Sequence, residues 1–136
     1  MIKTHARRYQ GAKLISYRYI IAIISNQAGI ALKSDSKAPK AHQGRLTTFK
    51  NKVSAVFSQL DVPISIYAAI EKDLYRKPRT GMWKELLEDY DLSPGSIDLE
   101  NSFFVGDAGG RIAGVGLAKD FSSSDRYSMV ICHSAV

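Results

Sequence analysis

The chain contains 136 residues, with a net charge of +6, 45% hydrophobic residues and 24% charged residues. This length suits one compact domain, and the composition excludes a wholly disordered chain. The single cysteine, Cys132, excludes an intrachain disulfide and an all-cysteine zinc site. The longest apolar stretch, residues 19–24, is too short to span a membrane.

Positive charge is concentrated in the first part of the chain. Residues 1–52 carry 11 Lys and Arg and one acidic residue, Asp35, whereas residues 53–136 carry 8 Lys and Arg and 12 acidic residues. An excess of this kind at one end suits a polyanionic partner, above all a nucleic acid. A solvated basic surface explains the charge equally well.

The predicted elements begin after residues 1–18, a basic segment without clear periodicity that stays unplaced. Residues 19–24 (YIIAII) predict a strand buried on both faces, and turn residues follow it. Residues 31–44 are polar and predict an exposed loop. Apolar residues then recur on one face of a helix, at Leu46, Phe49, Val53, Val56, Phe57 and Leu60.

The second half of the chain continues this alternation. Residues 64–70 (ISIYAAI) predict another buried strand, and a second helix is expected to begin near Thr80, a suitable N-cap residue. Residues 91–100 read as a loop, and residues 102–105 predict a third short strand. Strands that alternate with helices indicate an α/β fold in which helices cover a parallel sheet.

Ligands in such folds lie at the carboxyl ends of the strands. The polar residues expected there are Ser25–Gln27, the stretch leading to Lys77, and Asp107. A hydroxyl with turn N–H groups, a fixed ammonium and a carboxylate together describe a site for phosphate and Mg²⁺. Each residue also has a plain structural reading, because strand ends, solvated lysines and turn aspartates are common.

Four segments in order carry a family resemblance: SNQAGI (Ser25–Ile30), YRKPRTGMW (Tyr75–Trp83), FFVGDAGGR (Phe103–Arg111) and KDFSSSDR (Lys119–Arg126). Over roughly residues 13–126 the chain resembles the polynucleotide kinase 3′-phosphatase family, fungal type, of the haloacid dehalogenase superfamily. The resemblance implies a three-layer Rossmannoid domain over residues 19–126. It sets residues 1–18 and 127–136 apart as a basic segment and a divergent tail.

The resemblance also implies an activity, which is Mg²⁺-dependent removal of 3′-phosphates from DNA ends during strand-break repair. By motif, Ser25 binds the phosphate, Asn26 and Gln27 shape its loop, Lys77 neutralises the phosphate, and Asp107 ligates Mg²⁺. Arg79 and Arg111 fall in the segments expected to contact substrate. Asp120, Asp125 and Arg126 receive only supporting or substrate-side roles. The implied location is the nucleus, with the cytoplasm as the alternative, and the implied partners are DNA 3′ ends and DNA-repair proteins.

One family motif is missing. The family places Asp-x-Asp-Gly-Thr on a central strand before the one that carries Ser25, yet no acidic residue precedes Asp35. Covalent phosphoryl transfer needs that first Asp as nucleophile, so the 136 residues alone are expected to be inactive or nearly so. The strands that carry Ser25 and Asp107 would then have unpaired edges or pair with each other.

Three interpretations stay open. The chain is an incomplete copy of a 3′-phosphatase domain, a non-catalytic remnant that binds phosphate or DNA ends, or a fragment without a stable fold. Unfamiliar sequence at both ends favours a truncated or mis-spliced reading of a longer gene.

Overall fold

A computed structural model describes residues 1–5, 19–30, 44–60 and 63–128 of the chain. The chain divides into two compact units, residues 1–71 and residues 72–136, and each is described by itself. Residues 31–43 of the expected loop and most of the segments 1–18 and 127–136 lie outside the described residues. Among the described residues, no helix has the length and apolar character needed to cross a membrane.

The first unit contains a three-stranded mixed sheet. Its strands are β1 (Ile2–His5), β2 (Ile21–Asn26) and β3 (Ile64–Ala69), in the spatial order β1-β3-β2. β2 runs parallel to β3, with Ile21 opposite Ile64 and Asn26 opposite Ala69. β1 runs antiparallel to the other edge of β3.

β3 is the centre of this unit, and all six of its residues are buried. Its continuous apolar sequence fits that burial, because a strand whose two faces are both covered is apolar throughout rather than alternating. Helix α1 (Arg45–Gln59) presents Val53, which clusters with Ile64 and Ile66 of β3, while Phe49 and Phe57 pack around them. The prediction of a buried strand is confirmed, and so is the helix, but Leu60 of the predicted apolar face lies just beyond the helix and is exposed.

The prediction for residues 19–24 is right in element type and wrong in burial. The strand begins two residues later, and Ile21 and Ile23 are 39% and 37% exposed. The physical reason is position, since β2 has a neighbouring strand on one side only within the described sheet. An apolar run therefore occupies an edge rather than a doubly covered centre.

β1 arises from the segment that the sequence left unplaced. Its short IKTH sequence pairs with Ser65–Ala68 of β3, so the sheet is mixed and not wholly parallel as predicted. β1 lies beyond β3, whereas the missing central strand was expected beside the strand that carries Ser25. β1 therefore does not replace that strand.

The second unit begins with turns and continues into helix α2 (Gly81–Asp89). Thr80 occupies the predicted N-cap position, although its side chain makes no capping hydrogen bond, and the helix buries Met82, Leu86 and Leu87. Gly81 lies against the preceding turn, where an added Cβ would come within 2.5 Å of the Leu74 carbonyl oxygen. A short 3₁₀ turn at Pro94–Ser96 falls in the predicted loop.

The third predicted strand is absent from the described structure. Residues 102–105 have no strand assignment, and Phe103 and Val105 are 86% and 95% exposed. Apolar and β-branched residues favour a strand only where a neighbouring strand supplies hydrogen-bond partners and a surface to bury them. The α/β class is confirmed in its coarse form, while the three-layer haloacid-dehalogenase arrangement stays a prediction.

Candidate phosphate and cation site

Ser25 lies near the carboxyl end of β2, where the sequence placed it. It pairs with Ala68 of β3, and the Gln27 backbone N–H extends the ladder by donating to the Ala69 carbonyl at 2.7 Å. The Gln27 side-chain amide donates to the Ser25 hydroxyl oxygen at 2.8 Å. Because that oxygen acts as acceptor there, this hydrogen bond does not use the Ser25 hydroxyl proton.

The turn after β2 is closed by a glycine and an arginine. Gly29 has a positive φ of 82°, a conformation that favours glycine. The Arg45 side chain, at the start of α1, donates to the Ala28 carbonyl at 3.3 Å. The end of β2 and the turn after it are therefore hydrogen-bonded both to β3, through Gln27, and to the first turn of α1, through Ala28.

Lys77 belongs to the second unit, where its ammonium donates to the Asp125 carboxylate. The two side chains are only 9% and 6% exposed. Asp125 also accepts the Ala108 backbone N–H at 3.0 Å, and its own N–H donates to the Ala108 carbonyl at 3.1 Å. Burial alone would raise the pKa of Asp125, but the Lys77 and backbone hydrogen bonds outweigh it and hold that pKa below its ordinary value.

The glycine-rich loop 106–111 turns its amides inward. The N–H groups of Gly109 and Arg111 donate to Asp120 at 3.1 and 3.0 Å, and the N–H of Gly110 donates to the Ser122 carbonyl at 3.1 Å. Gly110 has a positive φ of 77°, a conformation that favours glycine and suits a tight turn. These amides are not offered to a bound phosphate.

Asp107 lies in the same loop with an exposed side chain. Within the described residues no hydrogen bond or ion pair holds its carboxylate, and no cluster of three or more His, Cys, Asp or Glu could enclose a metal. Asp120 and Asp125 are occupied by Arg111 and Lys77. Mg²⁺ is often held by one or two carboxylates with substrate phosphates and water, so Asp107 fits it as a single protein ligand.

Arg111 forms an ion pair with one carboxylate oxygen of Asp120. Its Nε and Nη2 atoms lie 2.9 and 2.8 Å from Oδ1 of that carboxylate. The hydrogen bonds from Arg111 lower the pKa of Asp120. The sequence assigned Asp120 and Asp125 only supporting or substrate-side roles, in a resembling segment that follows the glycine-rich loop. Only the fold shows that they organise it.

Two predicted residues remain to be placed. Arg79 is exposed just before α2, and its guanidinium donates to the Asp73 carbonyl at 3.2 Å. Asn26 ends β2 opposite Ala69. Ser25, Asn26 and Gln27 thus belong to the first unit, and Lys77, Arg79, Asp107 and Arg111 to the second. The single crevice that would join them stays a prediction.

Comparison with known proteins adds a family match. The model of the polynucleotide kinase 3 phosphatase family matches residues 7–131. A bifunctional polynucleotide phosphatase/kinase of Schizosaccharomyces pombe is 47% identical over 93 residues, covering 68% of this chain and 20% of the relative. A polynucleotide 3′-phosphatase of Arabidopsis thaliana is 33% identical over 105 residues, covering 68% of this chain and 14% of the relative. The chain thus spans a fifth or less of the length of these relatives.

Proposed function

The chain belongs to the polynucleotide kinase 3 phosphatase family, and we propose that it is a 3′-phosphatase-type domain of DNA repair that recognises 3′-phosphorylated DNA ends. The family match over residues 7–131 is the observation that carries this proposal. The names of its relatives in Schizosaccharomyces pombe and Arabidopsis thaliana support the same substrate class. The nucleus is the proposed location, and DNA-repair proteins are the proposed partners.

The proposed roles follow from the chemistry of each side chain. The Ser25 hydroxyl, oriented by Gln27, donates a hydrogen bond to a phosphate oxygen. Asn26 and Gln27 shape the loop around that oxygen. Lys77, held by Asp125, supplies positive charge near the phosphate. Arg79 and Arg111 supply guanidinium groups on the substrate side.

The Asp107 carboxylate is the proposed ligand of Mg²⁺. A bound Mg²⁺ would supply charge neutralisation at the phosphate. Support comes from the loop itself, because its amides at residues 109–111 point inward while the carboxylate is exposed. A loop with this polarity offers oxygen ligands to a cation rather than N–H groups to an anion.

The 136 residues alone are proposed to bind ends without turning them over. They contain no Asp-x-Asp-Gly-Thr motif, and removal of a nucleophile costs several orders of magnitude in rate. A non-catalytic end-binding domain is therefore the second candidate function, favoured by that missing motif. The two candidates differ in turnover and agree on the ligand.

The test is phosphate release from a 3′-phosphorylated single-stranded oligonucleotide with Mg²⁺, measured beside Asp107→Asn. We expect no release above that variant, together with salt-sensitive binding of the oligonucleotide. Release that disappears in Asp107→Asn would contradict the proposed inactivity and establish a phosphatase. If the wild type fails to bind the oligonucleotide at low salt, recognition of DNA ends by this chain is wrong.

A further inference from the structure

We propose that Asp120 is a positioning residue that presents the Arg111 guanidinium to the terminal phosphate of a DNA end, and so sets the preference for a 3′-phosphate over a 3′-hydroxyl. This inference rests on the proposed function, because it assumes that a phosphorylated DNA end is the ligand. It adds Asp120 to the proposed site as a residue that acts through the Arg111 side chain.

The Asp120 carboxylate binds the loop with both oxygens. Oδ2 accepts the backbone N–H groups of Gly109 and Arg111, at 3.1 and 3.0 Å. Oδ1 accepts the Arg111 side chain through Nε at 2.9 Å and lies 2.8 Å from Nη2. The Asp120 backbone N–H also donates to the Arg111 carbonyl at 3.2 Å. One residue therefore fixes both the backbone and the side chain of Arg111.

The side chain of Arg111 is exposed, whereas the side chain of Asp120 is buried. The Arg111 side chain is 64% exposed and the Asp120 side chain 5% exposed. A guanidinium is planar and carries more N–H groups than one carboxylate can accept, so Nη1 and part of Nη2 remain for a second acceptor. A phosphate is the acceptor that matches this geometry, since it receives two parallel hydrogen bonds from a guanidinium edge.

The backbone amides next to Arg111 already have partners. Besides the two amides taken by Asp120, the Gly110 N–H donates to Ser122 and the Ala108 N–H donates to Asp125. Among the amides of residues 108–111, each is used inside the unit. Within residues 108–111, the Arg111 guanidinium is therefore the group that can donate to a phosphate.

The Arg111–Asp120 ion pair is neutral as a whole. A change at Asp120 therefore distinguishes an effect on the orientation of the Arg111 guanidinium from an effect on the attraction between the protein and the DNA backbone. Asp120→Asn removes a negative charge, so general attraction to a DNA backbone should hold or increase. The same change replaces one of the two acceptor oxygens with an NH₂ group, so the new side chain cannot accept both the loop amides and the Arg111 side chain, and recognition of the terminal phosphate should weaken. A residue that only stabilised the fold would not lower the preference for one end group while preserving the affinity for the other.

The experiment compares two oligonucleotides of one sequence that end in a 3′-phosphate or a 3′-hydroxyl, titrated against the chain by fluorescence anisotropy. The variants are Asp120→Asn, Arg111→Ala and the double variant. We expect each to lower the phosphate preference about tenfold, and the double variant to lower it no further than either single one. Affinity for the 3′-hydroxyl oligonucleotide should stay the same or rise in Asp120→Asn.

Two control variants lie in the same unit. Lys84→Ala removes an exposed positive charge from α2, and Asp98→Asn alters a carboxylate that holds the Asn101 backbone and side chain. Both should keep the phosphate preference of the wild type. If Asp120→Asn also keeps it while Arg111→Ala loses it, Asp120 does not position Arg111. If neither variant lowers it, Arg111 does not contact the phosphate, and the inference is wrong.

A second measurement separates this inference from the proposed function. A wild type with no preference for the 3′-phosphate would contradict recognition of phosphorylated ends, and with it the use of Arg111. The hold of Asp120 on Arg111 is then judged by NMR, from the exchange of the Arg111 Nε–H with water. Faster exchange in Asp120→Asn supports the positioning contact, and unchanged exchange overturns it.

Discussion

Lys77 and Asp125, separated by 48 residues, form an ion pair whose side chains are 9% and 6% exposed. The pair joins the turns before α2 to the segment after the glycine-rich loop. Gly106 lies so close to it that an added Cβ would come within 2.5 Å of Asp125 Oδ2. A buried pair of this kind makes the second unit sensitive to the loss of either partner.

Asp125→Ala should destabilise the second unit strongly. It leaves the Lys77 ammonium buried without its carboxylate, and the expected loss of unfolding free energy is about 3–5 kcal/mol. Trp83, the single tryptophan, lies in α2 and reports unfolding of this unit by its fluorescence in urea. Asp98→Ala is the control and should cost clearly less. Equal losses in the two variants would contradict the importance of the buried pair.

The stability of this unit should fall in acid because of Asp125. Its pKa is lowered in the folded state, as the hydrogen bonds from Lys77 and the Ala108 amide outweigh burial. A lowered pKa contributes stability above the ordinary value of 3.8, and that stability is lost as pH falls through the folded pKa. Urea midpoints from about pH 7 to about pH 2 should therefore converge for wild type and Asp125→Asn. A constant difference between them would exclude this linkage.

Gly81→Ala should destabilise the start of α2. An added Cβ would lie 2.5 Å from the Leu74 carbonyl oxygen and 2.7 Å from its Cδ1, so the backbone turn must shift. The expected cost is about 1–3 kcal/mol, despite the higher helix propensity of alanine. Gly95→Ala is the matched control in the same unit, because its Cβ meets nothing within 4 Å. Urea unfolding by Trp83 fluorescence compares the two, and a neutral Gly81→Ala would refute the close approach.

Two isoleucines paired across the sheet should respond differently to truncation. Ile23 of β2 lies opposite Ile66 of β3, yet Ile66 is 4% exposed and Ile23 37% exposed. Ile66→Ala leaves a cavity beside Val53 and should cost about 2–5 kcal/mol, whereas Ile23→Ala should cost about 1 kcal/mol. Far-UV circular dichroism during urea unfolding measures both. A larger loss for Ile23→Ala would place the core on the other strand.

The types of the secondary-structure elements follow from local sequence wherever its pattern is long and regular. The spacing from Leu46 to Leu60 predicted α1, Thr80 and the apolar residues after it predicted α2, and residues 64–70 predicted β3. The sequence also determined the family, through four ordered segments. The absent Asp-x-Asp-Gly-Thr motif is likewise a property of sequence, because the nucleophile is defined by residue type. Local spacing suffices for these features, since each depends on residues close in the chain.

Which apolar segment forms the buried central strand of the sheet depends on tertiary contacts. β3 has a paired strand at each of its edges, and β2 lies at an edge of the described sheet. Residues 102–105 form no strand, although all three segments are short and apolar. A strand exists only where a neighbour accepts its hydrogen bonds, and sequence periodicity does not name that neighbour. β1 was hidden for the same reason. The pairs Lys77–Asp125 and Arg111–Asp120 needed the fold because their partners lie 48 and 9 residues apart.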